Sequence, residues 1–365
     1  MIIISKAIVI PEPHISSTNI ESRKDYIGEI KEYLWSIEKY VENNEDINNM
    51  IFVGDVFNRG FTDIDEYFYW LDWFMKMNSL LSGRDGSIYS AVGNHELSFS
   101  KSNPFWRFIS SNDGGYDTQC KWNSKSAFPI GMKSIIKVKD IVEFDDVSIF
   151  FCHYDKISEC VDLLNKHIDE FGEDRHRVCI SHNSIISNEI ANVLIKNYGR
   201  DPLTHFIQHE QISSYDFYNR FDYVFNGHMH KAYSSFIIND ELRNRTTKLF
   251  YLGSLGRTNS EEVNDSDLKR VCPVIDLNNF DVKLLTINLL SRQESLRENY
   301  EFEKNVEYEN KHEYVEICSR LEDIEKPVKT IMDSLNDVEM IVALECAVSS
   351  NKPHKLEELM IKCWG

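Results

Sequence analysis

Five short segments of this sequence carry side chains that bind metal ions, and these side chains follow directly on apolar runs. The apolar runs have the length and composition of strands. In an α/β sheet the functional site lies at the carboxyl ends of the strands, so we expect the five segments to meet there. The segments are IVIPEPHIS, FVGDVFNRG, AVGNHE, VCISHN and VFNGHMHK, and their candidate metal ligands are Glu12, His14, Asp55, Asn94, His182, His228 and His230.

The chemistry of these candidates indicates a catalytic metal centre. Imidazole, carboxylate and amide groups without a thiolate suit Mn, Fe, Zn, Mg or Co better than they suit a structural zinc site. Two catalytic metals at the usual separation of about 3.5–4 Å need a bridging carboxylate. Asp55, which follows the second apolar run, is the natural candidate for that bridge.

Each segment taken alone also has an ordinary structural interpretation. A Gly-Asp pair after a strand is commonly a turn, and two histidines two residues apart are commonly a surface or packed pair. The occurrence of all five segments in order, each after an apolar run, favours a metal site over these separate explanations. His153 in FCHYD is predicted to be structural or to support a ligand, and the pair His205 and His209 to lie on the surface.

The elements that must position these residues alternate between strand and helix early in the chain and are mostly strands later. Apolar periodicity predicts helices over residues 19–41, 62–81 and 157–171. This order predicts an α/β sandwich with mixed sheets. The predicted strands are residues 7–11, 50–53, 87–92, 134–138, 141–145, 147–152, 177–181, 222–225, 234–238, 247–252, 274–276 and 282–289.

A change in composition after Leu290 predicts a domain boundary. The first domain is predicted to end there, and the charged stretch over residues 291–312 lacks periodicity and is typical of a linker. The pattern of residues 313–365 predicts a strand, a helix and a second strand in sequence. We therefore predict a small βαβ unit of its own after the linker.

The composition limits the classes of partner. The chain has 365 residues with 40 basic and 59 acidic side chains, a net charge of −19. Such a charge opposes the binding of nucleic acid or anionic membrane by the overall field of the chain alone. Eight scattered cysteines without CxxC spacing, and apolar runs too short to span a bilayer, predict a reduced cytoplasmic protein with no membrane contact.

The motifs GDxxxRG, GNHE and GHxH, in this order, resemble those of the calcineurin-like metallophosphoesterase superfamily, and the likeness spans residues 7–257. The segment Tyr251–Asn259, YLGSLGRTN, and the trailing βαβ unit are similar to parts of the nuclease subunit of SbcCD-type DNA repair complexes. The resemblance implies an α/β fold, a four-layer α/β/β/α sandwich with a small C-terminal βαβ capping domain.

The resemblance also implies roles for individual residues. His95 occupies the position of the family's catalytic histidine, where it would protonate the leaving oxygen or stabilise the charged transition state. Arg59 would either hold a phosphate oxygen or anchor its own loop. Two divalent ions, with manganese favoured over Mg, Fe, Zn or Co, would be bound by Glu12, His14, Asp55 and His230 at the first site and by Asp55, Asn94, His182 and His228 at the second.

The sequence departs from the family pattern at two positions. The first family motif is Asp-x-His, whereas this chain has Glu12-Pro13-His14, so the carboxylate is one methylene further from the backbone. We therefore expect weaker binding at the first site. A second histidine that the nuclease subunit commonly carries three residues after the bridging aspartate is replaced by Asn58.

Two functions follow from the resemblance as expectations. The first is a metal-dependent phosphodiesterase that acts on DNA as an exo- or endonuclease subunit beside an SMC-like ATPase, in recombination and repair. It would work in a bacterial cytoplasm, as a bacterial or viral protein, with a homodimer as a further expectation. The second is a stand-alone phosphatase or a hydrolase of cyclic nucleotides and other small phosphodiesters. A non-catalytic scaffold is disfavoured because Asn94, His95 and His182 are all present.

Overall fold

The computed structural model describes residues 5–58, 63–98, 105–108, 135–185, 215–230, 235–240, 245–258, 262–263 and 268–297. All of these residues belong to one compact unit. Arg59, His205, His209 and the predicted βαβ domain lie outside the described residues. The division of the chain into a domain, a linker and a second domain therefore stays a prediction.

The described strands form two six-stranded mixed sheets. The first sheet has the order β12-β11-β1-β2-β3-β4. Strands β1 to β4 run parallel to one another, and β11 runs antiparallel to both of its neighbours, β1 and β12. The second has the order β5-β6-β7-β8-β10-β9, with antiparallel strands at both edges. The strands are β1 Lys6–Ile10, β2 Ile47–Phe52, β3 Ser87–Ser90, β4 Ile136–Lys137, β5 Ile141–Glu143, β6 Val147–Cys152, β7 His176–Ser181, β8 Tyr223–Asn226, β9 Phe236–Asp240, β10 Arg245–Tyr251, β11 Lys269–Asp276 and β12 Val282–Asn288.

The two faces of strand β1 show how the layers pack. Ile8 and Ile10 point into a core shared with the helices on the outside of the first sheet. Ala7 and Val9 point the other way, into a second core between the two sheets. Burial on both faces explains why this strand is an unbroken apolar run.

Helices cover the outer faces of both sheets. Two long helices lie on the first sheet, and a third packs on β6 of the second sheet. The four layers confirm the predicted α/β/β/α sandwich. The described helices are α1 Tyr26–Asn43, α2 Ile64–Ser82, α3 Asn94–Ser98, α4 Phe105–Phe108, α5 Ile157–Phe171, α6 Tyr215–Tyr218 and α7 Arg292–Ser295.

Helix α1 begins seven residues later than periodicity predicted. The side chain of Asp25 accepts a hydrogen bond from the backbone N–H of Gly28 and so caps the helix before Tyr26. Upstream of this cap, Arg23 pairs with Leu296 in an isolated β-bridge. The polar residues before Asp25 therefore serve local turns and long-range contacts instead of a first helical turn.

Residues 291–297, at the start of the predicted linker, are folded against the body of the unit. Ser291 and Glu294 form a capping box at the start of α7. The backbone N–H of Lys24 donates to the carbonyl of Ser295, and the N–H of Arg297 donates to that of Ser22. The folded unit thus extends at least to Arg297. Within the described residues, no helix is long and apolar enough to cross a bilayer.

Candidate metal centre

The carboxyl ends of five strands from both sheets bring the predicted ligands together at one edge of the sandwich. Glu12 and His14 follow β1, Asp55 follows β2, and Asn94 opens α3 just after β3. From the second sheet, His182 follows β7, and the pair His228 and His230 follows β8.

Four of these residues form one tight cluster. Glu12, His14, Asp55 and His230 each offer a ligand atom, and these atoms all lie within 4.8 Å of one another. His14 Nε2 is 3.2 Å from Glu12 Oε2 and 3.1 Å from His230 Nε2. His230 Nε2 lies 3.4 Å from Glu12 Oε2. We refer to these four residues as the first cluster.

The remaining candidates form a second cluster on the other side of Asp55. Asn94 Oδ1 lies 3.1 Å from His182 Nε2 and 3.0 Å from His228 Nδ1. Asp55 Oδ2 lies 3.3 Å from His182 Nε2. Asp55 is therefore the residue that the two clusters share, as its place in the sequence suggested. We refer to Asp55, Asn94, His182 and His228 as the second cluster.

One oxygen of Asp55 shows that this arrangement fits a cation. Oδ2 is buried and makes no hydrogen bond of normal geometry, with His182 Nε2 at 3.3 Å and His14 Nε2 and His95 Nε2 at 3.9 Å. A buried carboxylate oxygen that lacks a well-formed hydrogen bond is costly. Lone pairs of carboxylate, amide and imidazole groups that converge on it are the donor set of a divalent ion. The residues present therefore fit the metal centre that the sequence predicts.

The orientation of two imidazole rings is set by their outer nitrogens. His182 Nδ1 lies 2.9 Å from the carbonyl oxygen of Val53, and His230 Nδ1 lies 2.8 Å from Glu262 Oε1. In both pairs the oxygen can only accept, so Nδ1 is the nitrogen that carries hydrogen. This leaves Nε2 of each ring facing the clusters, as a metal-binding histidine requires.

The backbone at the site is held in conformations that few residues adopt. His14, Asp55 and His228 all have positive φ angles, of 47°, 46° and 68°. Such conformations are uncommon outside glycine, although asparagine, aspartate and histidine adopt them more often than other residues, and they collect at functional sites. Gly54 has a φ of 108°, and a Cβ there would come within 2.4 Å of His182 Nδ1. A Cβ at Gly93 would come within 2.1 Å of Asp55 Oδ1, so both motif glycines are needed for close approach.

The carboxyl group of Glu96 organises the loops that carry Asp55 and Asn94. Its two oxygens accept hydrogen bonds from the backbone N–H groups of Asp55 (2.9 Å), Val56 (2.8 Å) and Gly93 (2.8 Å). The side chain is fully buried. Burial, together with the nearby charge of Asp55, raises the pKa of Glu96 to about 8. Sequence reasoning did not identify this role, although Glu96 is the last residue of GNHE.

The charges of the carboxylates and the histidines at the site change one another's pKa values. Burial favours the neutral form of His182, but the charges of Asp55 and Glu12 outweigh it and raise its pKa to about 10. Burial likewise opposes protonation of His230, and Glu262 raises its pKa to about 9. Burial favours protonation of Asp55, yet the facing histidines, His182 first, hold the pKa of this carboxyl below its usual range. The metal-free centre thus holds protons where a metal would bind.

His95 stands beside the clusters without joining either of them. Its Nδ1–H donates to the carbonyl oxygen of Asn58 at 2.8 Å, which turns Nε2 toward Asp55. Its backbone N–H donates to Asp55 Oδ1 at 2.9 Å. Burial and the neighbouring His14 lower the pKa of His95. The side chain remains 23% exposed, so a substrate can reach it.

The segment that follows β10 packs against the backbone of the first motif of the site. The backbone N–H groups of Leu255 and Gly256 both donate to the carbonyl oxygen of Glu12, at 2.8 and 3.2 Å. The hydroxyl group of Ser254 lies 3.2 Å from the same oxygen and 2.8 Å from the carbonyl oxygen of Gly256. Two backbone donors on one carbonyl fix the backbone of the first motif. The segment YLGSLGRTN therefore contributes to the site through its backbone, which composition could not show.

Of the other histidines considered from the sequence, His153 is described and lies outside both clusters. The backbone N–H of Val92 donates to its Nδ1 at 2.9 Å, and Nε2 lies 3.6 Å from Asp140 Oδ1. His153 therefore braces the strand that leads to Asn94, in agreement with its structural interpretation.

Comparison with known proteins points to a phosphoesterase. A family model for calcineurin-like phosphoesterases matches residues 13–232, more than half of the chain. Curated proteins give no match.

Two solved structures show a distant similarity. One is a putative 5'-nucleotidase from Staphylococcus aureus in complex with alpha-ketoglutarate, with 10% identity, a TM-score of 0.33 and coverage of 78% of this chain and 54% of that chain. The other is GAP50, the anchor in the inner membrane complex of Plasmodium, with 8% identity, a TM-score of 0.36 and coverage of 80% and 90%. This chain thus spans about half the length of the first structure.

Proposed function

Because this chain belongs to the calcineurin-like phosphoesterase family, whose members hydrolyse phosphoesters with divalent metal ions, we propose that it is a dinuclear phosphodiesterase that acts on DNA. The observation that carries the dinuclear proposal is Asp55 Oδ2, a buried oxygen that makes no hydrogen bond of normal geometry and faces His14 on one side and His182 on the other. One carboxylate with two sets of neighbouring ligands is the arrangement expected of a shared bridge.

The proposal assigns one metal ion to each cluster. Glu12, His14, Asp55 and His230 would hold the first ion, and Asp55, Asn94, His182 and His228 the second. When bound, the two ions polarise the phosphoryl group and neutralise the charge that develops during its displacement. The resemblance to the nuclease subunit favours Mn²⁺, and the donor set of imidazole, carboxylate and amide groups without sulfur also suits Mg, Fe, Zn and Co.

His95 is the proposed acid. The hydrogen bond to Asn58 holds its ring with Nε2 directed toward the bridging Asp55, where a scissile phosphate would lie. The negative charge of a bound phosphate favours the protonated imidazole and so offsets the effect of burial on its pKa. From this position Nε2–H can donate a proton to the leaving oxygen. Arg59 stays a predicted phosphate ligand.

The proposal that the substrate is DNA is supported by the segment Tyr251–Asn259. This segment resembles the closing segment of SbcCD-type nuclease subunits, and its members Leu255 and Gly256 donate hydrogen bonds to the carbonyl of Glu12. The net charge of −19 opposes unaided binding of a polyanion. We accordingly propose that the chain acts as a cytoplasmic subunit that borrows basic surface from a partner, such as an SMC-like ATPase.

A hydrolase of small phosphodiesters is the second candidate. The observation that favours it is the same net charge, because a substrate with one phosphate needs no extended basic surface. Both candidates use the same metal centre and the same role for His95. They differ only in what lies beyond the scissile phosphate.

A direct assay separates the two candidates. The full chain, loaded with Mn²⁺, should be tested on linear duplex DNA, circular single-stranded DNA and a chromogenic phosphodiester. We expect the unmodified chain to cleave both DNA and the small diester. The matched control, Asp55→Asn, should cleave neither. Hydrolysis of the small diester without any cleavage of DNA, including in the presence of an SMC-like ATPase, would favour the second candidate. No hydrolysis of any phosphoester would contradict both.

A further inference from the structure

Glu262 is a carboxylate at the metal centre that no sequence motif identified. Its Oε1 lies 2.8 Å from Nδ1 of His230, within hydrogen-bond distance. The side chain is 20% exposed, so the pair is partly shielded from water. The adjacent Val263 is buried and anchors the backbone at this point.

This hydrogen bond determines which nitrogen of His230 faces the first cluster. Since a carboxylate accepts hydrogen, Nδ1 carries the proton and Nε2 is directed inward. Nε2 lies 3.1 Å from His14 Nε2 and 3.4 Å from Glu12 Oε2. A carboxylate behind an imidazole both orients the ring and makes its other nitrogen a stronger donor to a metal.

We propose that Glu262 is a positioning residue that holds His230 as a ligand of the first metal and strengthens that bond. This inference deepens the proposed function and rests on it, because it assumes a metal in the first cluster. It assigns Glu262 no contact with the substrate. The role is that of a partner behind the ligand, joined to the metal only through His230.

The two clusters differ in this respect, and the difference makes the proposal specific. In the second cluster the corresponding nitrogen of His182 donates to the neutral carbonyl oxygen of Val53. In the first cluster the acceptor is a full negative charge. Glu262 therefore strengthens the first site and not the second. Its removal should weaken the first metal alone.

The test is a calorimetric titration of the metal-free full chain with Mn²⁺. Glu262→Ala removes both the hydrogen bond and the charge, and Glu262→Gln retains an acceptor oxygen while it removes the charge. We expect affinity at one of two sites to fall by about 10- to 100-fold in the alanine variant, the scale for a lost partner of a metal ligand. The glutamine variant should lose less, and the other site should be unchanged in both.

The matched control is Glu143→Gln. Glu143 is another carboxylate beside a histidine, with Oε1 3.9 Å from Nε2 of His167, but that pair lies outside both clusters. This variant should bind both ions as the unmodified chain does. Thermal unfolding of each metal-free variant shows whether the fold is retained, and if Glu262→Ala has lost its fold the comparison rests on Glu262→Gln.

The outcomes separate the inference from the proposed function. If the unmodified chain binds two metals and both Glu262 variants bind them with the same affinity as that chain, the role of Glu262 is overturned and the metal centre is left intact. Weakening of both sites to the same degree would also overturn it, since the effect would then be general. An unmodified chain that binds no divalent ion would overturn the metal centre itself.

Discussion

The carboxylate of Glu12 accepts a hydrogen bond from the backbone N–H of His228, which joins the first motif of the site to the last. Oε1 makes this contact, while Oε2 faces His14 and His230 at 3.2 and 3.4 Å. A Cβ at Gly227 would lie 2.5 Å from Oε1, so the glycine of GHMH makes room for the longer side chain. The extra methylene is thus accommodated without loss of a ligand oxygen.

This geometry predicts that Glu12→Asp weakens the first metal site, although aspartate is the usual family residue. The shorter side chain would either leave His228 N–H without its acceptor or withdraw the second oxygen from the first cluster. A charge-assisted hydrogen bond of this kind contributes about 1.5–3 kcal/mol, so affinity should fall by about tenfold or more.

A Mn²⁺ titration of the metal-free Glu12→Asp chain measures this effect. Glu159→Asp serves as the control, because Glu159 is exposed, contacts Lys156 and Ser158, and belongs to neither cluster. Tighter binding of the first metal in the aspartate variant would contradict the geometric argument. It would show that the extra methylene of Glu12 weakens metal binding at the first site, as the sequence alone suggested.

A second prediction separates the roles of Asp55 and His95. Asp55→Asn removes the shared negative charge between the two clusters, so both metal binding and hydrolysis should be lost. His95→Ala keeps the backbone N–H that donates to Asp55 Oδ1 and removes no proposed ligand. It should therefore bind both metals while turnover falls by about 10²-fold or more, the scale of a lost general acid.

Metal content after dialysis, measured beside the rate on a chromogenic diester, distinguishes the two variants. An alanine variant as depleted of metal as Asp55→Asn would make His95 a ligand. An alanine variant with full activity would remove it from the chemistry.

How much of this site could be predicted from the sequence depends on where its contacts lie. Ligands that follow apolar strands, such as Asp55 and His182, carry a local signal, and the strands brought them together as expected. The role of Glu96 depends on backbone N–H groups about 40 residues away in the chain, and such contacts leave no periodic pattern. Glu262 lies 32 residues from His230 and outside any motif, so only the folded chain reveals the pair.

The bounds of the strands likewise depend partly on local sequence and partly on contacts with distant residues. The sequence predicts strand β11 only over residues 274–276. It begins instead at Lys269, and its pairing with β1 involves only residues 274–276. Pro273 thus lies beyond the stretch that β1 covers, where the loss of one N–H donor is tolerated. The order of the strands decides which part of β11 is covered by β1, and no short segment of the sequence encodes that order.

A third prediction concerns the dependence of metal binding on pH. In the metal-free chain, His182 and His230 have pKa values of about 10 and about 9, so both rings are protonated at pH 7. A histidine ring must be neutral to bind a metal, and each metal therefore displaces one proton from its ring. Affinity should rise by about tenfold per pH unit from pH 6.5 to 8, because this range lies below both pKa values.

Calorimetric titration with Mn²⁺ in two buffers of different ionisation enthalpy counts the released protons. We expect about one proton for each metal from these two rings. Binding heats that are the same in both buffers would show that the rings are already neutral. Glu262→Gln should lower the number released at the first site, because Glu262 is the main group that raises the pKa of His230.

A fourth prediction tests whether the part of the chain beyond the folded unit determines the substrate. Arg257 Nη2 donates to the carbonyl of Leu290, and residues 291–297 hydrogen-bond to Ser22 and Lys24. A chain ended at Leu290 would lose the contacts of residues 291–297 with Ser22 and Lys24 and fail for structural reasons. The informative truncation is therefore after residue 300, which keeps helix α7 and its capping box.

The chain of residues 1–300 should bind two metals and hydrolyse a chromogenic diester at close to the full rate, because every proposed ligand lies before Arg297. If the remaining residues orient DNA, cleavage of a duplex should fall by at least about tenfold, the kind of loss that misplacement of a substrate causes. The ratio of the two rates, compared with that of the full chain, is the measurement. An unchanged ratio would mean that residues 301–365 contribute nothing to the choice of substrate, and the hydrolase of small phosphodiesters would then become the better explanation of a metal centre on so acidic a chain.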